Sequence, residues 1–133
     1  MGLATERHPV VTDKAPRPLA GAPYSQAIAT RGLIFCSGQV PLDPETQQLV
    51  SEDISEQTER VLENLKGVIE AAGSTMADIA KTTVFLIDLD DFAAMNVVYS
   101  KYFDSAPPAR STIEVSKLPA NARVEIEAIV AGE

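Results

Sequence analysis

Apolar residues recur along the chain in two rhythms, and each change of rhythm marks an element. Residues 25–30 and 33–37 have β-rich composition and are joined by Arg31-Gly32, the glycine of a tight hairpin, which predicts two antiparallel strands. Ser37-Gly38-Gln39-Val40-Pro41 then leads into a loop over 42–49, where Asp43-Pro44 and Thr46-Gln47 favour turns. From Asp53 the rhythm becomes helical. Asp53 and Glu56 form a D-x-x-E capping box, Val61, Leu62, Leu65, Val68, Ile69 and Ala72 recur on one face, and Gly73 ends the run. Residues 74–79 read as a short capped turn, and 81–87 as a buried strand dense in Thr, Val, Phe and Ile. A second helix follows Asp88-Leu89-Asp90-Asp91, whose acids suit the positive end of a helix dipole. Its apolar stripe is Phe92, Met95, Val98, Tyr99 and Tyr102, with Met95 and the tyrosines read as core.

The C-terminal part returns to strand rhythm. Pro107-Pro108 stiffens the approach to Arg110, and a β-type run, Ser111-Thr112-Ile113-Glu114-Val115, begins directly after it. The chain then runs back as Arg123-Val124-Glu125-Ile126-Glu127-Ala128-Ile129-Val130. In that last strand Val124, Ile126, Ala128 and Val130 point one way, and Glu125, Glu127 and Ile129 the other. A face carrying two carboxylates is either open to water or, if buried, holds groups that are paired, protonated or functional. If these last two strands pair with each other, the Arg110 guanidinium and a carboxylate face one pocket. The order β-β-α-β-α-β-β predicts an α+β domain with both helices packed on one face of a mixed sheet.

Length and composition set bounds on that picture. The 133 residues, 45% of them hydrophobic, fit a single domain over 19–133, preceded by a loosely ordered arm over 1–18 that mixes Glu6, Arg7, His8, Asp13 and Lys14 with three prolines. Tryptophan is absent, so the core rests on Val, Ile, Leu and Ala. The net charge of −8 repels polyanions, which argues against general nucleic-acid binding and against docking to anionic membrane; a small anion held by one focused arginine is still allowed. Cys36 is the only cysteine, so no internal disulfide forms, and it reads as a small core residue. The longest apolar runs are far too short to span a bilayer, and a cytoplasmic location is the expectation.

The familiar catalytic patterns are missing: no P-loop, no dinucleotide-binding glycines, no G-x-S-x-G and no H-E-x-x-H. His8 is the single histidine and lies in the arm, so neither a Cys/His metal cluster nor a Ser-His-Asp triad is expected. Arginine, carboxylates, hydroxyls and backbone amides remain. That kit can fix a substrate carboxylate through Arg110, orient a water with an acid and offer amides to developing negative charge. It suits addition of water to a carbon that is already electrophilic; amides and phosphodiesters ask for a stronger nucleophile or a metal.

Six segments, in order, resemble the RidA/YjgF family of reactive-intermediate deaminases: Ala22-Pro23-Tyr24-Ser25-Gln26-Ala27, Cys36-Ser37-Gly38-Gln39-Val40-Pro41, Glu70-Ala71-Ala72-Gly73, Lys81-Thr82-Thr83-Val84-Phe85, Pro108-Ala109-Arg110-Ser111 and Val124-Glu125-Ile126-Glu127-Ala128. The resemblance spans roughly residues 16–131. It implies a chorismate-mutase-like subunit that forms a homotrimer with sites at the subunit interfaces. It further implies hydrolysis of short 2-imino acids, such as 2-iminopropanoate and 2-iminobutanoate, to 2-oxo acids and ammonia. No cofactor is implied, and the link to pyridoxal-phosphate dehydratases that release enamines is metabolic.

By position, Arg110 resembles the family arginine that grips the substrate carboxylate and Glu125 the acid that orients water, while Tyr24, Ser37, Gly38 and the backbone at Thr112 resemble the rest of the pocket. The chain departs from the family at Ala22, where glycine is usual, and at Thr112, where cysteine is frequent. Plainer roles stand beside these: Tyr24 as an interface packing residue and Ser37-Gly38 as a bulge at a strand end. An endoribonuclease or translation-inhibitor activity and a non-catalytic ligand-binding or chaperone-like trimer are the alternative functions.

Overall fold

Local signals set the helix ends. In a computed structural model of the chain, which describes residues 6–104 and 106–132, helix α1 (Ile54–Ala71) opens on Asp53, whose carboxylate accepts from the Glu56 backbone N–H at 2.9 Å. Gly73, at φ +88°, closes it: its N–H donates to the Glu70 carbonyl and that of Ser74 to the Ile69 carbonyl, the two bonds of a Schellman motif. Helix α2 (Phe92–Ser100) follows a 3-10 turn over Leu89–Asp91, in which the Asp88 carboxylate accepts from the Asp90 N–H.

Six strands form one mixed sheet: β1 (His8–Val10), β2 (Ala27–Thr30), β3 (Leu33–Gln39), β4 (Ile79–Leu86), β5 (Ala109–Glu114) and β6 (Val124–Ala131), in the order β1-β2-β3-β6-β4-β5. Among the described residues only β4 and β5 pair in parallel. Strand β6 lies between β3 and β4 and is antiparallel to both, so those two run the same way and require the crossover that α1 supplies; α2 makes the crossover between β4 and β5. Both helices lie on one face. Val61, Leu62, Leu65, Val68 and Ile69 of α1 and Met95 of α2 meet Val84, Leu86, Val124, Ile126 and Val130 in a fully buried core. Each such side chain contributes about 1.5–3 kcal/mol through burial. Cys36 belongs to this core, and burial pushes its thiol up to about 12, so it stays protonated.

The arm differs from its expectation. Residues 8–10 form β1 on the edge of the sheet beside β2, and Ala15 is buried. The Gln26 side chain holds this segment, accepting from the Thr12 N–H at 2.8 Å while its amide nitrogen lies within 3.2 Å of the carbonyls of Thr12, Ala15 and Pro16. Gly67 allows the Lys14 carbonyl to pass close to α1, 2.7 Å from where a Cβ would stand. Composition cannot register a pin made at that separation. Residues 1–5 of the expected arm lie outside the described residues.

The pairing of the last two strands is a second correction. Strand β4 separates β5 from β6, because the α2 crossover lays β5 on the far side of β4. No helix among the described residues is long and apolar enough to cross a membrane.

Candidate functional site

Alternation along β6 puts Val124, Ile126, Ala128 and Val130 against the helices, leaving Glu125, Glu127 and Ile129 on the open face of the sheet. Glu125 is half-buried there. Burial first, and the like charge of Glu127 second, hold its carboxyl above the ordinary carboxylate range. The start of β6 is fixed from α1 and from the turn before α2: the Arg123 N–H donates to Gln57 Oε1 at 2.8 Å, and its guanidinium grips Asp91 with Nη2 at 2.8 and 2.9 Å from the two carboxylate oxygens.

Beside Glu125 the register of β3 on β6 shifts between Cys36 and Gln39, a bulge that falls on Ser37-Gly38. Gly38 lies so close to Glu125 that a Cβ there would fall on the carboxylate oxygen Oε2. Ser37 donates its hydroxyl to the Ser25 carbonyl at 2.6 Å and its N–H to the Gln26 carbonyl. Tyr24, well exposed, accepts from the Leu19 N–H at 2.9 Å, leaving its phenolic proton free. Tyr24, Ser37, Ile28 and Phe35 line an open cleft of about 370 Å³. Tyr24, Ser37, Gly38 and Glu125 thus gather around β3 and β6.

Arg110 is elsewhere. On β5 it is in register with Thr82, a fully buried residue on the helix side, so it projects toward α2. Its Nη1 donates to Asn96 Oδ1 at 2.8 Å, and its guanidinium lies over the rings of Tyr99 at 4.8 Å and Phe92 at 5.5 Å. Tyr99 is itself tied to Thr82, oxygen to oxygen, at 2.6 Å. Among the described residues no carboxylate lies within 4.0 Å of Arg110. Thr112, in register with Val84, shares this face and edge. The Val115 N–H donates to the Leu86 carbonyl, and the alternation of a parallel ladder then turns the N–H and C=O of Thr112 toward the free edge of β5.

The sequence-predicted residues therefore form two groups, one of Arg110 and Thr112 and one of Tyr24, Ser37, Gly38 and Glu125, which do not meet within one chain. Asn96 was not singled out from the sequence. Its spacing from Phe92 and Tyr99, four and three residues, puts the trio on one side of α2 and is the signal that finds it. Among the described residues no group of three His, Cys, Asp or Glu is placed to hold a metal ion.

Residues 14–132 match the family described as Endoribonuclease L-PSP. A RutC family protein of Pyrococcus abyssi is 52% identical over 120 residues, covering 90% of this chain and 93% of its own. Reactive Intermediate Deaminase A, chloroplastic, of Arabidopsis thaliana is 46% identical over 126 residues, 95% of this chain and 66% of that protein. The crystal structure of E. coli TdcF with bound serine matches with a TM-score of 0.89 at 38% identity, covering 95% of this chain and 99% of that one.

Proposed function

Since the chain belongs to the Endoribonuclease L-PSP family, which includes the Rid and RutC proteins, we propose that it hydrolyses short 2-imino acids, such as 2-iminopropanoate and 2-iminobutanoate, to 2-oxo acids and ammonia. One observation carries this reading: Arg110 is held ready by Asn96, Tyr99 and Phe92 yet has no carboxylate partner among the described residues. A guanidinium so placed presents donors in a fixed plane to a ligand carboxylate. The E. coli relative carries bound serine, a small amino acid with a carboxylate, which is in keeping with this reading.

In the reaction, Arg110 and the Thr112 amide bind the carboxylate. Glu125 takes a proton from water as the water oxygen bonds to the imine carbon, giving a tetrahedral carbinolamine. Glu125 returns that proton to the nitrogen; it then takes the proton of the new hydroxyl and passes it to the amino nitrogen as the C–N bond breaks, so that the carbonyl forms and ammonia leaves. A carboxyl raised above its ordinary value suits both proton transfers. The substrate is already electrophilic, so orientation and modest base catalysis are enough. Dehydratases dependent on pyridoxal phosphate release such imines and are the proposed metabolic source.

The site is completed between copies. Phe35, Ile113 and Ile129 stand 43, 44 and 37% exposed on the open face that holds Glu125, an apolar surface suited to a second copy in a homotrimer. The ribonuclease reading is the weaker one: the net charge is −8, and the single histidine, His8, lies beside Glu6 rather than in either half-site.

The test is an imine-hydrolysis assay coupled to a dehydratase, with light scattering for the assembled mass and an RNA-cleavage assay alongside. Activity that Arg110→Ala abolishes while the trimer mass persists supports the proposal. Wild-type rates in that variant overturn it.

A further inference from the structure

Thr112 carries a group that the reaction above leaves unused. Among the described residues its Oγ1 is the buried side-chain oxygen without a hydrogen-bond partner. A hydroxyl withdrawn from water and left unpaired is costly, and valine, of the same shape, fills such a position without that cost. On the same face of β5, the Arg110 guanidinium is already aimed by Asn96 Oδ1, which accepts from its Nη1 at 2.8 Å.

We propose that the Thr112 hydroxyl is a further donor to the carboxylate gripped by Arg110, unpaired in the free subunit and satisfied when ligand binds. Arg110 and Thr112 are two residues apart on one strand and so on one face of it, a separation that one small anion spans. The Thr112 N–H points to the same free edge of β5. Threonine in a strand has more than one staggered χ1 well, and a turn of about 120° exchanges its hydroxyl and methyl positions. The hydroxyl can therefore rest against the protein in the free state and turn to the edge when an anion arrives. Guanidinium, amide and hydroxyl then converge on one carboxylate, a donor set that a cysteine at this position supplies only weakly. This role rests on the carboxylate reading of Arg110 given above.

The experiment uses the assembled protein, the short 2-oxo acid 2-oxobutanoate as probe, and the variants Thr112→Val, Thr112→Ser and Arg110→Ala. Calorimetric Kd, thermal stability with and without probe, and the split between KM and kcat are measured for each. Thr112→Val is expected to match or exceed the wild-type Tm without ligand, to bind the probe roughly tenfold more weakly, since a bond to a charged group is lost, and to raise KM more than it lowers kcat. Thr112→Ser is expected to restore binding. Unchanged Kd in Thr112→Val overturns the proposal, and so does a lower ligand-free Tm with unchanged Kd, the mark of a hydroxyl paired with water or a neighbouring copy. If Arg110→Ala also binds normally, the carboxylate reading itself fails; if only Thr112→Val does, that reading stands without the Thr112 role.

Discussion

Arg110 and Glu125 stand on opposite faces of the sheet, with β4 between their strands. Arg110 is level with Ala128 of β6 through Thr82, whereas Glu125 is level with Ile113 of β5 through Phe85. A reaction that needs both groups at one substrate must take them from different copies. Variants lacking one or the other then complement: Arg110→Ala and Glu125→Gln, each inactive alone, regain activity when unfolded together and reassembled. At equal amounts and random mixing in a trimer, roughly one interface in four joins an intact arginine to an intact glutamate. Specific activity near a quarter of wild type is the expected result, and a mixture as inactive as its parts rules out the shared site.

Gly38 owes its identity to Glu125. Any Cβ there meets the carboxylate, so Gly38→Ala must displace either the bulge or the acid. The expected cost is about 1–3 kcal/mol of stability by denaturant midpoint, with a large loss of the proposed imine hydrolysis because the proposed base is moved. In a Glu125→Ala background the same substitution has nothing to strike. The two changes then couple, and the cycle shows an alanine at 38 that is better tolerated once the acid is gone. Additive costs speak against the contact.

Glu125 also gives the protein a pH signature. Its carboxyl is raised above the ordinary 4.5, first by burial and second by Glu127. A carboxyl whose folded value exceeds its unfolded one binds more protons in the folded state, so stability falls as pH rises from about the unfolded value through the folded one. Glu125→Gln is neutral throughout. Its stability relative to wild type is therefore expected to grow across that window and stay level above it, measured by urea midpoints at a series of pH values. The acid limb of kcat/KM in the wild type lies above 4.5 for the same reason. Parallel stability curves for the two proteins contradict the assignment.

What the sequence makes legible is what neighbouring residues decide. The Asp53 cap, the 61–72 periodicity and the Gly73 stop are local, and α1 stands where they place it. The alternation along β6 likewise assigns the faces of Glu125 and Val124 correctly, because a strand carries its own phase. Nothing local relates the phase of β5 to that of β6, and the order of strands depends on a crossover helix, so Arg110 and Glu125 appear adjacent in sequence terms while the fold separates them. Asn96 is hidden for a similar reason: its role exists only once α2 lies over β5.

The arm offers a test of such non-local order. Residues 12–16 are held by one side chain, Gln26, and by the gap at Gly67. Gln26→Ala is expected to raise amide exchange in this segment while α1 keeps its protection, since the carbonyls lose their donor and the strap lifts. Gly67→Ala improves helix propensity by about 1 kcal/mol, yet its methyl meets the Lys14 carbonyl, and overpacking of about 1–3 kcal/mol outweighs the gain. A net loss of stability with a loosened arm is the expected result; a more stable protein with a protected arm shows that the contact is slack.

Asn96 decides how Arg110 is presented. Its carbonyl oxygen takes one guanidinium donor at 2.8 Å, which aims the fork without neutralising it, and the faces of Tyr99 and Phe92 limit the remaining motion. Alanine at 96 keeps the charge and loses the aim, so KM for imine is expected to rise several-fold with kcat less affected, the mark of weakened ground-state and transition-state binding alike. Asn96→Asp is nearly the same size but delivers a carboxylate into the place where the proposed substrate carboxylate would bind. The internal pair then competes with ligand, and a hydrogen bond between charged groups, worth about 1.5–3 kcal/mol, stands against binding. KM in Asn96→Asp is expected to exceed that of Asn96→Ala by roughly tenfold or more, while thermal stability stays equal or rises because Arg110 has gained a partner. Equal KM values for the two variants are incompatible with Arg110 as the carboxylate anchor, and they direct attention to the Glu125 half-site instead.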